Sequence, residues 1–305
     1  MNLSQLKGLI IRKELKDTIV RKVCIKTWRI WEKLGVHISP NHYYWPIPET
    51  KDILSYDFNK KFSLDGIKIS EADMLMWLKR IAKYREEYAK IHTGCGYTSH
   101  GDGAILYGVV RELKPKRVLE VGSGSGWSTG VTCTALEKNK TQDDSPGKII
   151  AIEPYPKPSL KELVNRHDNV TLIQSKVEAA EPQLFEKMES GDILFIDSSH
   201  VVRIGNDVHY LYLSVLPKVP VGTIIHIHDI EFPYDYPKEW VLKNRRFWTE
   251  QYLLHMFLAF NDSFEILFAG NYMYDKYPEL MTDSLVGLSP GGDGWPGCFW
   301  IRRKK

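Results

Sequence analysis

From about residue 95 to residue 302, short apolar runs alternate with stretches in which apolar residues recur every three or four positions. The short runs predict strands near 117–121, 148–153, 169–174, 192–197, 222–228, 263–269 and 297–302. The periodic stretches predict helices near 102–113, 126–138, 158–166, 180–189, 203–216, 237–260 and 271–281. Such alternation implies an α/β domain: a doubly wound, seven-stranded, mostly parallel sheet with helices on both faces. The Gly/Pro-rich connection Ser289–Gly297 suits a last strand that closes the sheet antiparallel, and Asn139–Gly147 reads as a polar surface loop.

Residues 1–92 carry a different pattern and read as a helical and irregular extension to a domain at 93–305. In the first 34 residues Leu6, Ile10, Val20, Val23, Cys24, Trp28 and Trp31 recur roughly at helical spacing, and over Met1–Lys33 nine basic residues face three acids. This segment is expected to pack as a lid or a contact between copies in a homo-oligomer; a basic helix also admits a peripheral membrane contact. Residues 35–62, with the run His37–Pro48 rich in proline and aromatics, cannot be one helix. A helix is expected to start at Ser70, where Ser-Glu-Ala-Asp resembles a capping box with Asp in the Glu position, and to run to about Lys90.

Composition narrows the function classes. The 305 residues carry a net charge of +3 and 43% hydrophobic residues, an ordinary globular balance that does not point to nucleic acid as a partner. Cys24, Cys95, Cys133 and Cys298 form no CxxC pair, so neither a disulfide frame nor a zinc cluster is expected. No apolar run approaches the ~18 residues of a membrane span. The N-terminus lacks the apolar block of a signal peptide, and cytoplasmic residence is expected.

The candidate chemistry gathers at the predicted carboxyl ends of the strands. Val118-Leu119-Glu120-Val121 is followed by Gly122, Gly124 and Gly126, a strand running into a glycine turn that opens a helix. That is where a doubly wound sheet takes a nucleotide. The third glycine follows the second by two residues, not by the three of the dinucleotide fingerprint. The acid Glu120 suits a ligand with an ammonium group better than a pyrophosphate. Glu153 closes the second strand, where an acid can accept from both hydroxyls of a ribose. Strand four ends in Asp197, with His200 three residues on, and strand five ends in His228-Asp229. Neighbouring strands lie ~4.8 Å apart, so Asp197 and Asp229 can converge. Two carboxylates with no Lys or Arg between them repel, and a divalent cation such as Mg²⁺ would relieve that. A histidine beside them can take a proton at neutral pH.

The string E-V-G-x-G-x-G resembles the first motif of class I S-adenosylmethionine-dependent methyltransferases. The resemblance implies that Glu120 lies near the methionine end of the cofactor, that Gly122, Ser123, Gly124 and Gly126 let it pass closely, that Glu153 holds its ribose, and that Ser175 and Val177, with Asp197, border it further on. The pattern D-x-x-H after strand four, with an acid pair after strand five, is similar to that of metal-dependent sugar O-methyltransferases, over roughly residues 95–302. It implies that His200 is the general base, with Asp197 and Asp229 holding a cation and orienting the acceptor. This chain departs from that pattern at His228, where those enzymes have Glu. Histidine is a poorer Mg²⁺ ligand, so the set Asp197, His228 and Asp229 admits Mg²⁺, another divalent cation, or no metal with His228 as donor or second base. The expected acceptor is a sugar, a glycan or a small natural product, with Tyr234 and Tyr236 as its wall; Tyr97, His100 and Asp102 are expected near the methionine end of the cofactor. Two other readings stay open: a cyclase or lyase acting on S-adenosylmethionine itself, and a non-catalytic cofactor-binding protein.

Overall fold

The computed structural model describes residues 3–41, 44–91, 100–140, 146–289 and 295–305, with the backbone alone for residues 3–17 and His100. The helices are α1 (Leu3–Lys33), α2 (Thr50–Ser55), α3 (Glu71–Ala82), α4 (Arg85–Tyr88), α5 (His100–Leu113), α6 (Trp127–Asn139) and α7 (Pro158–Arg166). They continue as α8 (Gln183–Glu186), α9 (Asp207–Tyr210), α10 (Lys238–Leu242), α11 (Glu250–Leu258), α12 (Gly270–Lys276) and α13 (Pro278–Ser284). The strands are β1 (Arg117–Val121), β2 (Lys148–Ile152), β3 (Val170–Ile173), β4 (Ile193–Ile196), β5 (Ile224–Ile227), β6 (Phe264–Ala269) and β7 (Phe299–Arg303).

The chain divides into two compact units, residues 1–58 with 237–247, and residues 59–236 with 248–305. In the smaller unit α2 packs on α10, Trp28 stacks on His37 with ring centres 4.8 Å apart, and Trp31 Nε1 donates to Thr27 Oγ1. In the larger unit α3 packs on α5 and β6, so residues from 59 onward fold with the sheet.

The sheet has seven strands in the order β3-β2-β1-β4-β5-β7-β6, all parallel except β7, which runs antiparallel to both its neighbours. β4 and β5 are buried along their whole length, because helices cover both faces of a parallel sheet. The strand order reverses between β1 and β4, and there the carboxyl ends open a crevice.

The predicted strands are all present, and the helices differ where local chemistry breaks a periodic stretch. The stretch 237–260 is two helices, α10 and α11, parted by a turn in which Arg245 has a φ of 54°. The stretch 271–281 breaks at Tyr277, which precedes Pro278 and is driven out of the helical region. The stretch beginning at Ser70 holds two helices, α3 and α4, and its cap forms as expected: Ser70 Oγ accepts from the Asp73 amide at 3.3 Å. The irregular stretch 35–62 contains the short helix α2. Helix 203–216 begins only at Asp207, where the Asn206 side chain caps it, and widens into a π turn at Leu211–Val215. Helix 180–189 shortens to α8, behind Pro182. Among the described residues no helix is long and apolar enough to cross a membrane.

Leu119 sits at the centre of β1, fully buried and paired with β2 on one side and β4 on the other. Leu119→Ala leaves a cavity there, and we expect a loss of about 2–5 kcal/mol, read as a lower denaturation midpoint at unchanged slope.

Candidate active site at the carboxyl edge of the sheet

The glycine turn is shaped by what it must avoid. The ladder runs one residue past the strands: the Gly122 amide donates to the Ile152 carbonyl, the Asp197 amide to the Val121 carbonyl, and the His228 amide to the Ile196 carbonyl, at 2.9–3.0 Å. Gly122, Asp197 and His228 therefore stand side by side at the edge. Gly122 has a φ of 88°, and a Cβ there would lie 1.7 Å from the Asp197 carbonyl oxygen. Only glycine permits both. Gly126 caps α6 in the left-handed region, and the Gly126 amide bonds the Ser123 carbonyl at 2.7 Å. Gly124, by contrast, faces open space, with no atom within 4 Å of where a Cβ would stand.

Glu153 ties this turn to the end of β2. Its carboxylate accepts from the Gly124 amide at 2.8 Å and from the Tyr155 amide at 2.7 Å. A carboxylate offers about four lone-pair positions, so two stay available to a ligand. Glu120 is buried in β1, and Oε1 accepts from Ser128 Oγ at 2.5 Å. Burial pushes its carboxyl up to about 7, against the pull of that hydroxyl. Glu120 Oε2 and Ser123 Oγ are buried and have no hydrogen-bond partner among the described residues. An open glycine, a half-used carboxylate and orphaned acceptors fit a ligand that brings an ammonium group and a ribose.

A second row lies one layer below the edge. The register places Glu120 beside Phe195, Phe195 beside His226 and His226 beside Trp300. The Phe195 and His226 rings stack at 4.1 Å, and those of His226 and Trp300 meet at 4.6 Å. Burial, aided by the nearby His228, holds His226 well below the ordinary histidine value. Its Nε2 reaches Nδ1 of His228 at 3.3 Å, so the two share one face of β5 as their spacing implies. His228 goes the other way. Burial opposes its charge, but Asp229, Asp197 and Asp102 outweigh burial and raise it to about 9.

His200 is the centre of the site. Its Nε2 lies 3.2 Å from Asp197 Oδ1 and 3.4 Å from Asp229 Oδ2, and its Nδ1 lies 2.9 Å from Glu250 Oε2. One donor atom from each of Asp197, His200 and Asp229 can be chosen so that all three lie within 4.8 Å of one another. The two carboxylates do converge, and the nitrogen that joins them is that of His200; His228 Nε2 stands 3.7 Å from Asp229 Oδ1, outside this group. Burial works against a charged His200, but Asp197, Glu250 and Asp229 together hold its pKa well above the ordinary 6.5. A charge on this ring relieves the repulsion between Asp197 and Asp229, and they in turn favour its charged form. Burial likewise opposes ionisation of Asp197, yet His228 and His200 hold it below the usual carboxylate value. Both His200 and Asp229 sit at positive φ, 58° and 54°, a strained conformation for a residue with a side chain and one that clusters at functional sites.

The remaining expected residues fall around this centre. Ser175 is half-buried, its hydroxyl on the Lys176 carbonyl at 3.2 Å, and Val177 is buried at the head of the 3-10 turn Val177–Ala179. Tyr234 is half-buried, and its hydroxyl donates to Asp275 at 2.8 Å. Tyr236 is only 1% exposed, and its hydroxyl accepts from the Gln251 amide, so it stands behind the wall, edge-on to Trp248, which in turn lies 4.4 Å from the His200 ring. Asp102 is buried and accepts from the Gly297 amide at 3.3 Å. Tyr97 and the side chain of His100 lie outside the described residues. Two acids escaped the sequence reading. Glu231 is buried, and burial first, then Asp229 and Asp102, push it up to about 8. Glu250 opens α11, where an acid ordinarily reads as a helix-dipole residue; it lies 50 positions from the histidine it meets, with no spacing signal to reveal the pair.

Residues 119–230, which hold the glycine turn, Glu153, Asp197, His200 and Asp229, match a family model described as a methyltransferase domain. An uncharacterised protein of Archaeoglobus fulgidus is 25% identical over 178 residues, 53% of this chain and 78% of that protein. Among solved structures, an SAH-bound methyltransferase of Podospora anserina aligns at 17% identity over 88% of this chain and all of that one, with a TM-score of 0.45. An O-methyltransferase of Bacillus cereus in complex with SAH aligns at 17% identity over 77% of this chain and 92% of that one, also with a TM-score of 0.45. Likeness at this level bears on neither substrate nor mechanism.

The two glycines should respond differently to a methyl group. Gly122→Ala is expected to lose the folded state, while Gly124→Ala should fold with a penalty of about 1–3 kcal/mol from its positive φ, as thermal melts will show. Glu120 sets a pH dependence. Unfolded it ionises near 4.5 and folded near about 7, so between these values the folded chain holds the extra proton and stability falls as pH rises, levelling above 7. Comparing denaturation of wild type and Glu120→Gln across that window should show a fall of about 3 kcal/mol that the variant lacks.

Proposed function

We propose that this chain, a class I S-adenosylmethionine-dependent methyltransferase, moves the sulfonium methyl to a hydroxyl oxygen of a sugar, glycan or small natural product, with His200 as general base. The observation that carries the reading is the position of His200 Nε2, at 3.2 and 3.4 Å from two carboxylates on the sheet edge beside Gly122. A sulfonium is a good leaving group, so the protein's main task is to align donor and acceptor. In this reading Gly122, Ser123, Gly124 and Gly126 let the cofactor pass close to the backbone, and Glu120 faces its ammonium. Glu153 accepts from the ribose hydroxyls, and Ser175 and Val177 border the adenine. Tyr234 lines the acceptor side, backed by Tyr236 and Trp248.

A base must be neutral before it can accept a proton, and Asp197, Glu250 and Asp229 favour the charged form of His200. Some other positive charge must then stand against Asp197 and Asp229 when His200 acts. Asp197 and Asp229 would hold a divalent cation, which when bound supplies that charge and polarises the acceptor oxygen. His228, raised to about 9 and 3.7 Å from Asp229 Oδ1, supports the same need. Nε2 of His200 then takes the hydroxyl proton as the oxygen attacks, and Asp197 and Asp229 orient the acceptor.

Turnover on a panel of glycans and small hydroxyl compounds, with and without EDTA, tests this. We expect S-adenosylhomocysteine as product, loss of turnover on chelation with recovery on adding Mg²⁺ or Mn²⁺, and a drop of about 10²–10⁴-fold in kcat for His200→Ala. Methylthioadenosine as product would select cyclase or lyase chemistry instead. Unchanged activity in His200→Ala would remove the base assignment, and full activity in EDTA the cation.

A further inference from the structure

We infer that Glu250 is the positioning residue for His200, accepting a hydrogen bond from Nδ1–H so that Nε2 presents its lone pair to the gap between Asp197 and Asp229; this rests on His200 acting at Nε2, as proposed above. A neutral imidazole has one donor nitrogen and one acceptor, and an ionised carboxylate can only accept. His200 has carboxylates on both sides: Asp197 and Asp229 face Nε2, and Glu250 faces Nδ1. Left to the first pair alone, the ring proton would sit on Nε2, and the atom needed for chemistry would be blocked. Glu250 is the counterweight. Its bond is the shortest of the three, 2.9 Å against 3.2 and 3.4 Å. Its side chain is wholly buried, while those of Asp197 and Asp229 keep 34% and 21% exposure. Solvent weakens the two partly exposed carboxylates as acceptors and leaves Glu250 at full strength.

The start of α11 fixes the ring as well as the proton. The Thr249 and Glu250 amides both donate to the His200 carbonyl, at 2.8 and 3.0 Å. Thr249 Oγ1 accepts from the Val202 amide at 2.7 Å, and Trp248 lies 4.4 Å from the ring. Ser198 Oγ adds a longer bond to Glu250 Oε2 at 3.4 Å. Three consecutive residues thus hold the backbone, the plane and the tautomer of one histidine. Carboxylates that orient a working histidine act in this way in metal sites and triads alike.

The test reads the imidazole directly, in protein carrying ¹⁵N-labelled histidine and without metal or acceptor. Wild type and Asp197→Asn should show a downfield, exchange-protected Nδ1–H signal for His200 that persists, with Nε2 unprotonated, in buffer alkaline enough to neutralise the ring. Glu250→Ala should lose that protection, and in alkaline buffer its remaining ring proton should move to Nε2. S-adenosylmethionine affinity, measured by calorimetry, should be unchanged in Glu250→Ala. Should Glu250→Ala not fold, Glu250→Gln decides: its amide oxygen still accepts, so the Nδ1–H signal should persist at a smaller downfield shift. A protected Nδ1–H signal in Glu250→Ala, or none in wild type, overturns the assignment. A wild-type signal in a protein that binds no Mn²⁺ and transfers no methyl would overturn the proposed reaction and leave this assignment standing.

Discussion

Gly122 and Asp197 meet backbone against backbone, and the rest of the site is hung on that contact. A methyl group at residue 122 would lie 1.7 Å from the Asp197 carbonyl oxygen, so the close approach of β1 and β4 beyond their last paired residues exists only because residue 122 has no side chain. The approach keeps the ladder in register for one further step, which sets the Asp197 and His228 backbones level at the edge. It also occurs where the strand order reverses, the one place in such a sheet where helices on opposite faces leave the strand ends open.

What fills that opening is an excess of buried acid. Glu120, Glu153, Glu231 and Glu250 are buried, and Asp197 and Asp229 are partly so, yet the ion pairs of the described residues bring no lysine or arginine to these six. The protein meets the cost in two ways. Some acids hold their protons: burial raises Glu120 to about 7 and Glu231 to about 8. Asp197 is instead held below the usual carboxylate value by His228 and His200. The orphaned oxygens beside the glycine turn and the carboxylate pair beside His200 express the same imbalance at two points along one edge.

Periodicity and glycine placement made much of this legible. Each of the seven strands is a short apolar run, and a run bounded by glycine or an acid needs no partner to be recognised. The glycine turn, Glu153, Asp197, His200 and Asp229 could be read because each stands at the end of such a run or a few residues after it. The helices were less legible at their breaks. The separation of α10 from α11 follows from their joining different compact units, and the apolar pattern runs on through the break. Tyr236 carries the same local signal as Tyr234, a tyrosine in a proline-bounded loop, but its hydroxyl is taken by the first turn of α11.

The sequence by itself determined the alternation of strand and helix, and with it the sheet and the side of the sheet on which acids and histidines gather, because these depend on residue order within a few turns of chain. Only the tertiary structure decided which nitrogen stands between Asp197 and Asp229, that carboxylates on both sides of the ring favour its charged form, and that Glu250 reaches it from 50 residues away. Those facts depend on distances between elements remote in the chain and on the loss of water around them, and no local pattern of residues encodes either.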